Sequence, residues 1–323
     1  MKTSRRWLSL MLSLILFLTG CGPTSHGIKA AQYKVWFVAK STDTDFWLSA
    51  FAGANAAKAE YNVDLTIVGP ETEEDYGKQN EYIAQAAEHN ADAIIFSAIS
   101  YTENAAAIDA AADAGVKIVV IDSDVDSRKV SARIGTDNLQ AGRMTAAAVL
   151  DSQELELYVG IVNFDLGSRN GQEREMGLRE VLASDGRVRG VHTVNVSATP
   201  DAAAAGTEIL LADYPEINVL VGLNEPLAVG VAQAADRLGL AGTVRVVGFD
   251  TNVQCVDLMR SGTVSALIAQ NPYAMGYLGV ETAWKLLEGQ SFDPNRLIDT
   301  ATTIITADNM FTIESQKALF SFG

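Results

Sequence analysis

Residues 244–252 read Val-Arg-Val-Val-Gly-Phe-Asp-Thr-Asn, or VRVVGFDTN. The apolar run is too short for an ordinary helix, and it stops on a carboxylate with two more polar residues behind it. Short apolar runs without clean alternation fit strands that are buried on both faces. The chain holds seven more runs of this kind, rich in Val and Ile, at residues 33–39, 63–69, 92–98, 116–122, 157–164, 217–223 and 264–270. Ala-rich stretches of helical length lie between them, at 49–61, 75–89, 103–114, 140–150, 171–183, 202–212 and 227–238. Gly115, Gly239 and Gly262 stand where such helices should end, because glycine takes the left-handed cap conformation without strain. Strand–helix alternation of this kind predicts an α/β fold of doubly wound parallel sheets with helices on both faces. Two sheets account for the strand count better than one very wide sheet. The stretch 132–136 (ARIGT), followed by Asp137-Asn138, reads as a crossing between them. Asp293-Pro294-Asn295 and the Thr-rich stretch 300–306 read as a second connection.

The first 21 residues read differently. Lys2, Arg5 and Arg6 precede an apolar stretch at 7–18 broken only by Ser9 and Ser13. It is shorter than the roughly 20 residues that span a bilayer. A basic start before a short apolar stretch is the pattern of a secretory signal. It ends in Leu18-Thr19-Gly20-Cys21, which resembles a bacterial lipobox, whose Cys is lipidated. An ordinary signal peptide with an incidental Cys is the alternative. Residues 22–32 (GPTSHGIKAAQ) read as a flexible tether. The expectation is a protein held outside the cytoplasmic membrane by lipid on Cys21. From Tyr33 on, no apolar stretch is long enough to cross a membrane.

The formal net charge is −16, and it becomes more negative once the basic leader is removed. Phosphate backbones require a basic face, so nucleic acid is disfavoured as a partner. Cys21 and Cys255 are the only cysteines. An acylated Cys21 leaves Cys255 without a partner, and VQCVDLM reads as an amphipathic helix that buries it as a small inert hydrophobe.

In open parallel α/β sheets, ligands bind outside the carboxyl ends of the strands. The residues that follow the strands are therefore the candidates. They are Lys40-Ser41-Thr42-Asp43-Thr44-Asp45 with Phe46-Trp47, then Ser97 and Ser100-Tyr101, then Asp122-Ser123-Asp124. In the second half they are Asn163-Phe164-Asp165, Asn224-Glu225, Asp250 and Gln270-Asn271. Carboxylates accept hydrogen bonds from hydroxyls, and Asn and Gln both donate and accept. Aromatic rings offer a flat apolar face. Such a rim suits a polyhydroxylated ligand. Ser, Thr, Asp and Asn also cap helices at strand–helix junctions whatever the function, so Asn224 alone is equally a cap. Gln270 and the pair Phe46-Trp47 are not explained by capping.

In order along the chain, these motifs resemble the type I periplasmic sugar-binding proteins, close to their ribose-binding branch. The motifs are the loop ending in Phe46-Trp47, VVID with Asp122, IGTDN at the crossing, LNEPLAVG with Asn224, VVGFD with Asp250, and ALIAQNPYAMG with Gln270. The likeness spans about residues 33 to 306. It implies two lobes, 33–136 with 271–298 and 137–270 with 299–323, joined by three hinge strands. Closure on a ligand and docking on a transporter follow from it. Phe46 and Trp47 match an aromatic pair that sandwiches the sugar with a third ring from the other lobe, and Phe164 is a further expected ligand-binding residue. Asp122, Asn224, Asp250 and Gln270 match hydroxyl-binding positions. The chain departs from the pattern at three places. Thr44 stands where Asn commonly precedes the aromatic pair. Ser123 stands where an Arg follows the first-lobe Asp. Gln172 fills the place of a helical Arg, with Arg169 or Arg174 nearby to compensate. Losing two guanidinium groups removes directional donors and leaves the sugar undefined.

The sequence does not favour an enzyme. His26, His89 and His192 are far apart, and Gly167-Ser168-Arg169-Asn170-Gly171 is not a nucleophile elbow. Asp122-Ser123-Asp124-Val125-Asp126 opens like a calcium loop, then has Ser127 where the turn glycine belongs and Arg133 where the bidentate Glu belongs. No metal and no cofactor is expected. A repressor of the same fold would carry a DNA-binding segment where this chain has its leader. The expected role is a monomeric sugar receptor of an ABC importer with a permease as its partner. The alternative is the same module acting as a sensor for a histidine kinase or chemoreceptor.

Overall fold

The computed structural model describes residues 33–319. The leader 1–21, Cys21, the tether 22–32 and His26 lie outside the described residues, as do residues 320–323. The first sheet contains β1 (Lys34–Val38), β2 (Asp64–Val68), β3 (Ala93–Phe96), β4 (Lys117–Ile121), β5 (Ala132–Gly135) and β11 (Leu297–Asp299). Its order is β11-β5-β4-β3-β1-β2, with every neighbouring pair parallel. The second sheet contains β6 (Leu157–Asn163), β7 (Val188–Asn195), β8 (Val219–Gly222), β9 (Arg245–Phe249), β10 (Ala266–Ala269) and β12 (Thr303–Ile305). Its order is β12-β10-β9-β8-β6-β7, and β12 alone runs antiparallel to its neighbour.

The interior strands are buried on both faces, and their side chains show why. Successive residues of a strand point to opposite faces. In the first lobe Val35, Phe37, Ile95, Val119 and Ile121 enter one apolar cluster, while Val38, Ile94, Phe96, Ile118 and Val120 enter another. One cluster lies under α1 (Asp45–Tyr61) and α9 (Pro272–Leu287). The other lies under α2 (Tyr76–Glu88) and α3 (Ala105–Asp113). A strand that feeds two cores has no polar face to show, so its sequence reads as a continuous apolar run. The edge strand β7 is different. It is only partly buried, carries Arg189, His192 and Thr193, and has no apolar run to betray it.

The second lobe is built on α4 (Asn138–Leu150), α5 (Arg169–Leu182), α6 (Pro200–Asp213), α7 (Glu225–Arg237), α8 (Val253–Ser261) and α10 (Ile313–Leu319). Gly262 caps α8 with φ 88°, and Gly115 and Gly239 follow α3 and α7 with φ 96° and 68°. The chain passes from one sheet to the other between β5 and α4, between β10 and α9, and between β11 and β12. Cys255 is a buried free thiol on α8. Asp124 is paired with Arg133 at 2.9 Å, so the carboxylate at the third position of a calcium-like loop faces a guanidinium.

Both lobes have pairs of helices in unusually close contact. Where α1 meets α9, a Cβ on Gly53 would strike the Tyr273 carbonyl, and one on Gly276 would strike the Ala50 carbonyl. Where α4 meets α5, Gly142 faces the Arg174 carbonyl and Gly177 the Leu139 carbonyl in the same way. Well-packed interiors resist added methyl groups. Gly276→Ala is expected to lower stability by about 1–3 kcal/mol, read as an earlier midpoint in urea unfolding. An unchanged midpoint would show that the helices can part at no cost.

Candidate ligand site

The carboxyl ends of the two sheets point toward each other, and residues from both line one small polar cavity of about 20 Å³. From the first lobe come Lys40, Thr44, Phe46, Trp47, Glu73 and Asp122. From the second come Phe164, Asn170, Arg174, Asn224, Glu225, Pro226 and Asp250, with Gln270 at the second crossing.

Each polar member is held by the element that ends beside it. Lys40 follows β1 and is almost wholly buried. Its ammonium lies 3.2 Å from Glu73 Oε2, donates to Ser168 Oγ at 3.1 Å, and sits 5.1 Å from the centre of the Phe164 ring. Glu73 also accepts from Trp47 Nε1 at 2.8 Å. Thr44 caps α1 by accepting from the Trp47 backbone N–H. Trp47 is only 1 % exposed and stacks on Phe51. Phe46 is half-buried and more open.

Asp122 and Asp250 end matching strands of the two lobes. Both have left-handed backbones, with φ 55° and 69°. That conformation is uncommon outside glycine and is best tolerated by Asn and Asp. Asp122 Oδ2 accepts from Ser97 Oγ at 2.9 Å, and its Oδ1 accepts from Asn170 of the other lobe at 3.1 Å. Asp250 Oδ1 accepts from Gln270 Nε2 at 2.6 Å. Gln270 Oε1 accepts from Thr136 Oγ1 at 2.8 Å and from Arg174 at 2.9 Å.

Arg174 is the centre of this network. It is 1 % exposed and donates to Asn138 Oδ1, the Leu223 carbonyl and Gln270 Oε1, each at 2.9 Å. Its guanidinium lies 3.9 Å from Asp122 Oδ1 and 4.0 Å from the centre of the Phe249 ring. Burial pulls its pKa below the ordinary arginine value, and the charges of Asp250 and Asp122 oppose that pull. Phe164 can lie flat at the cavity because α5 presents Gly171 to it. A Cβ there would come within 2.8 Å of the ring.

Eight of the residues expected from sequence meet at this cavity: Thr44, Phe46, Trp47, Asp122, Phe164, Asn224, Asp250 and Gln270. Two do not line it. Ser123 is wholly buried and its hydroxyl has no partner. Gln172 lies off the cavity with its Nε2 unpaired, and Arg174, two residues on, brings the cation instead. Asn224 does both jobs that its position allows, capping α7 through the Leu227 N–H at 3.1 Å while lining the cavity. Sequence reasoning missed Glu73 and Asn170 as site residues, and it reached Glu225 only as one of the residues that follow the strands. The strand-end rule would have reached Glu73 had it been applied to β2. Asn170 sits one turn before Arg174 on α5, and the 3.6-residue period joins the two.

A larger cavity of about 540 Å³ adjoins the first and shares Phe46, Glu225, Asp250 and Gln270 with it. Its remaining walls include Leu48, Val253, Val256, Met310, Phe311 and Leu319. The buried hydrogen-bonding groups gather in the small cavity.

Residues 35–291 match the model of the periplasmic binding protein domain. A D-ribose/D-allose-binding protein of Pseudomonas aeruginosa is 26% identical over 94% of this chain and 99% of its own length. A carbohydrate transporter solute-binding protein from Agrobacterium radiobacter, solved in complex with D-arabinose, superposes with a TM-score of 0.86 at 25% identity. That match covers 90% of this chain and all of the other. A sugar transporter structure from Clostridium phytofermentans is 34% identical, with a TM-score of 0.76 over 86% of this chain and all of its own.

Burial raises the Asp250 carboxyl from its ordinary 3.8 to about 6, against the pull of Arg174 and Gln270. The folded state therefore holds this proton more tightly than the unfolded chain. Its contribution to stability is fullest below the unfolded value and is lost as pH rises through about 6. Asp250→Asn removes the titration. The variant should gain on the wild type by on the order of 2 kcal/mol between about pH 4 and pH 7.5, measured by urea unfolding at each pH. A constant difference across that range would contradict the burial argument.

Proposed function

The chain belongs to the periplasmic binding protein family, and from that premise we propose that it is a membrane-tethered, extracytoplasmic sugar receptor that feeds an ABC importer. Membership makes it a substrate-binding protein rather than an enzyme. The proposal adds a monosaccharide or sugar-like guest, held between the two lobes and captured by closure about the hinge. The observation that carries it is the convergence of acceptor and amide groups from the strand ends of both sheets on one buried cavity. The relatives named above for D-ribose, D-allose and D-arabinose give the class of guest.

In this reading Asp122 and Asp250 accept from ligand hydroxyls, one from each lobe. Asn224, Gln270, Asn170 and Arg174 supply donors. Phe46 and Phe164 offer ring faces to the C–H surface of the sugar. Trp47, tied by Glu73, backs Phe46 with its ring at 5.1 Å. The moving bodies are residues 33–136 with 271–298 and residues 137–270 with 299–323, and the three crossings between the sheets act as the hinge. The contacts between the lobes can be exchanged for water. Tyr101 N–H donates to the Gly167 carbonyl at 2.8 Å, Lys40 to Ser168 at 3.1 Å, and Asn170 to Asp122 at 3.1 Å. Such bonds are each worth about 1 kcal/mol net, or about 1.5–3 where one partner is charged, so a few of them leave closure for a ligand to decide.

Cys21 is the proposed lipid anchor, with residues 22–32 as the tether. Cys21→Ser should release the protein from the membrane fraction of cells that export it. Retention in that fraction would end the lipoprotein reading.

The sugar assignment is tested by thermal shift against D-ribose, D-allose, D-arabinose, D-fucose and related polyols. A true guest at a hundredfold excess over Kd stabilises by about 2.7 kcal/mol. Asp122→Ala and Asp250→Ala should each abolish the shift. A screen in which no sugar stabilises the protein defeats the ligand class. A guest still bound by both variants defeats the site.

A further inference from the structure

The first N–H groups of a helix have no partner within it. At the start of α1, Thr44 takes the N–H of Trp47. The N–H groups of Asp45 and Phe46 go to the other lobe, where the Glu225 carboxylate accepts them at 3.3 and 2.7 Å. Asn252, also in the second lobe, completes the arrangement. Its Nδ2 donates to Glu225 Oε1 at 3.1 Å and to Asp45 Oδ2 at 2.9 Å, while its Oδ1 caps α8 through the Gln254 N–H. Glu225 is thus a carboxylate from one body seated on the positive end of a 17-residue helix of the other. The hydrogen bonds favour the ionised carboxylate, and burial opposes it more strongly.

We propose that Glu225 and Asn252 form a clasp on the N-terminus of α1 that sets how readily the two lobes close. Glu225 is then a positioning residue for ligand capture, acting through α1 rather than through a sugar hydroxyl. The inference rests on the reading that the lobes open and shut.

The clasp has a built-in opposition. Glu225 is 7 % exposed. The titratable groups facing it are Asp45 from α1, Asp250 from the turn after β9 and the Cys255 thiol from α8. Burial first, and then the neighbouring charges of Asp250 and Asp45, raise its carboxyl from the ordinary 4.5 to about 7, while the Phe46 N–H and Asn252 hold it down. Parting the lobes returns Glu225 to water and to its ordinary value. The closed state therefore holds the proton more tightly, and closure weakens as pH rises through about 7.

The test uses the purified protein without sugar, so it reads the clasp separately from the ligand assignment. Amide exchange by NMR reports Asp45 and Phe46, and small-angle scattering reports the spread of the lobes. In Glu225→Ala the two amides should exchange at least tenfold faster than in wild type, with a larger radius of gyration. Asn252→Asp keeps the α8 cap but turns a third carboxylate on Glu225 and Asp45, and should shift both readings the same way. The wild-type radius should shrink from about pH 8 to about pH 6, and Glu225→Gln should lose most of that response. Melting curves confirm that each variant is folded. Exchange rates and radii that match the wild type in both Glu225→Ala and Asn252→Asp would overturn the clasp. A sugar screen that fails while these readings move would remove the ligand assignment and leave the clasp standing.

Discussion

The buried guanidinium of Arg174 ties the second lobe together at the point where it meets the first. Its three nitrogens reach the end of β8 at Leu223, the end of β10 at Gln270 and the start of α4 at Asn138, and its face lies on Phe249 at the end of β9. Four segments that are distant in sequence are thereby held to one planar group. A buried cation without partners would cost several kcal/mol. Here its hydrogen bonds run to neutral oxygens, and the carboxylates of Asp122 and Asp250 stand near enough to balance its charge. The close seating of α5 on α4 positions the arginine, and that seating depends on glycine at 142 and 177.

The fold was largely legible because its strands serve two cores at once. Residues such as Ile94 and Ile95 point to opposite clusters and are both wholly buried, so the sequence offers an unbroken apolar run where a strand with one wet face would alternate. The same physics hid β7, whose edge position leaves its side chains partly wet and its residues mixed. It also hid the antiparallel direction of β12, a three-residue strand whose sense is set by the third passage between the sheets. The strand-end residues were legible for a related reason. A parallel strand must stop before its helix begins, and the stop is where buried polar groups can face a cavity.

The difference between Gln172 and Arg174 marks the limit of that legibility. Position along α5 fixes which face a residue occupies only once the helix start is known, and each residue turns the helix by a large angle. Asn170 and Arg174 share a face because they are four apart. Gln172 sits between them in sequence and on a different side. Ser123 was obscured by backbone conformation. The left-handed turn at Asp122 aims that carboxylate at the cavity and buries the next side chain beneath the strand ends. Asp250 makes the same turn in the other lobe. Nothing in the residue types alone announces a positive φ, although Asp is among the few side chains that tolerate one.

The chemistry of the site follows from how little space is left in it. A pocket that holds a small molecule commonly measures about 300–1,000 Å³, against about 20 Å³ here. The gripping groups are instead bonded to each other: Asn170 to Asp122, Gln270 to Asp250, Arg174 to Gln270, Lys40 to Glu73. A polyhydroxylated guest can replace such bonds one for one, since each hydroxyl both donates and accepts. The exchange leaves no buried polar group unpaired, which is the costly outcome. An apolar guest of equal size would strand every one of these groups. A cationic guest would meet Lys40 and Arg174, and an anionic one would meet Glu73, Asp122, Glu225 and Asp250. Under the proposed function, these mutually bonded groups favour an uncharged, hydroxyl-rich molecule, because an apolar guest would leave them unpaired.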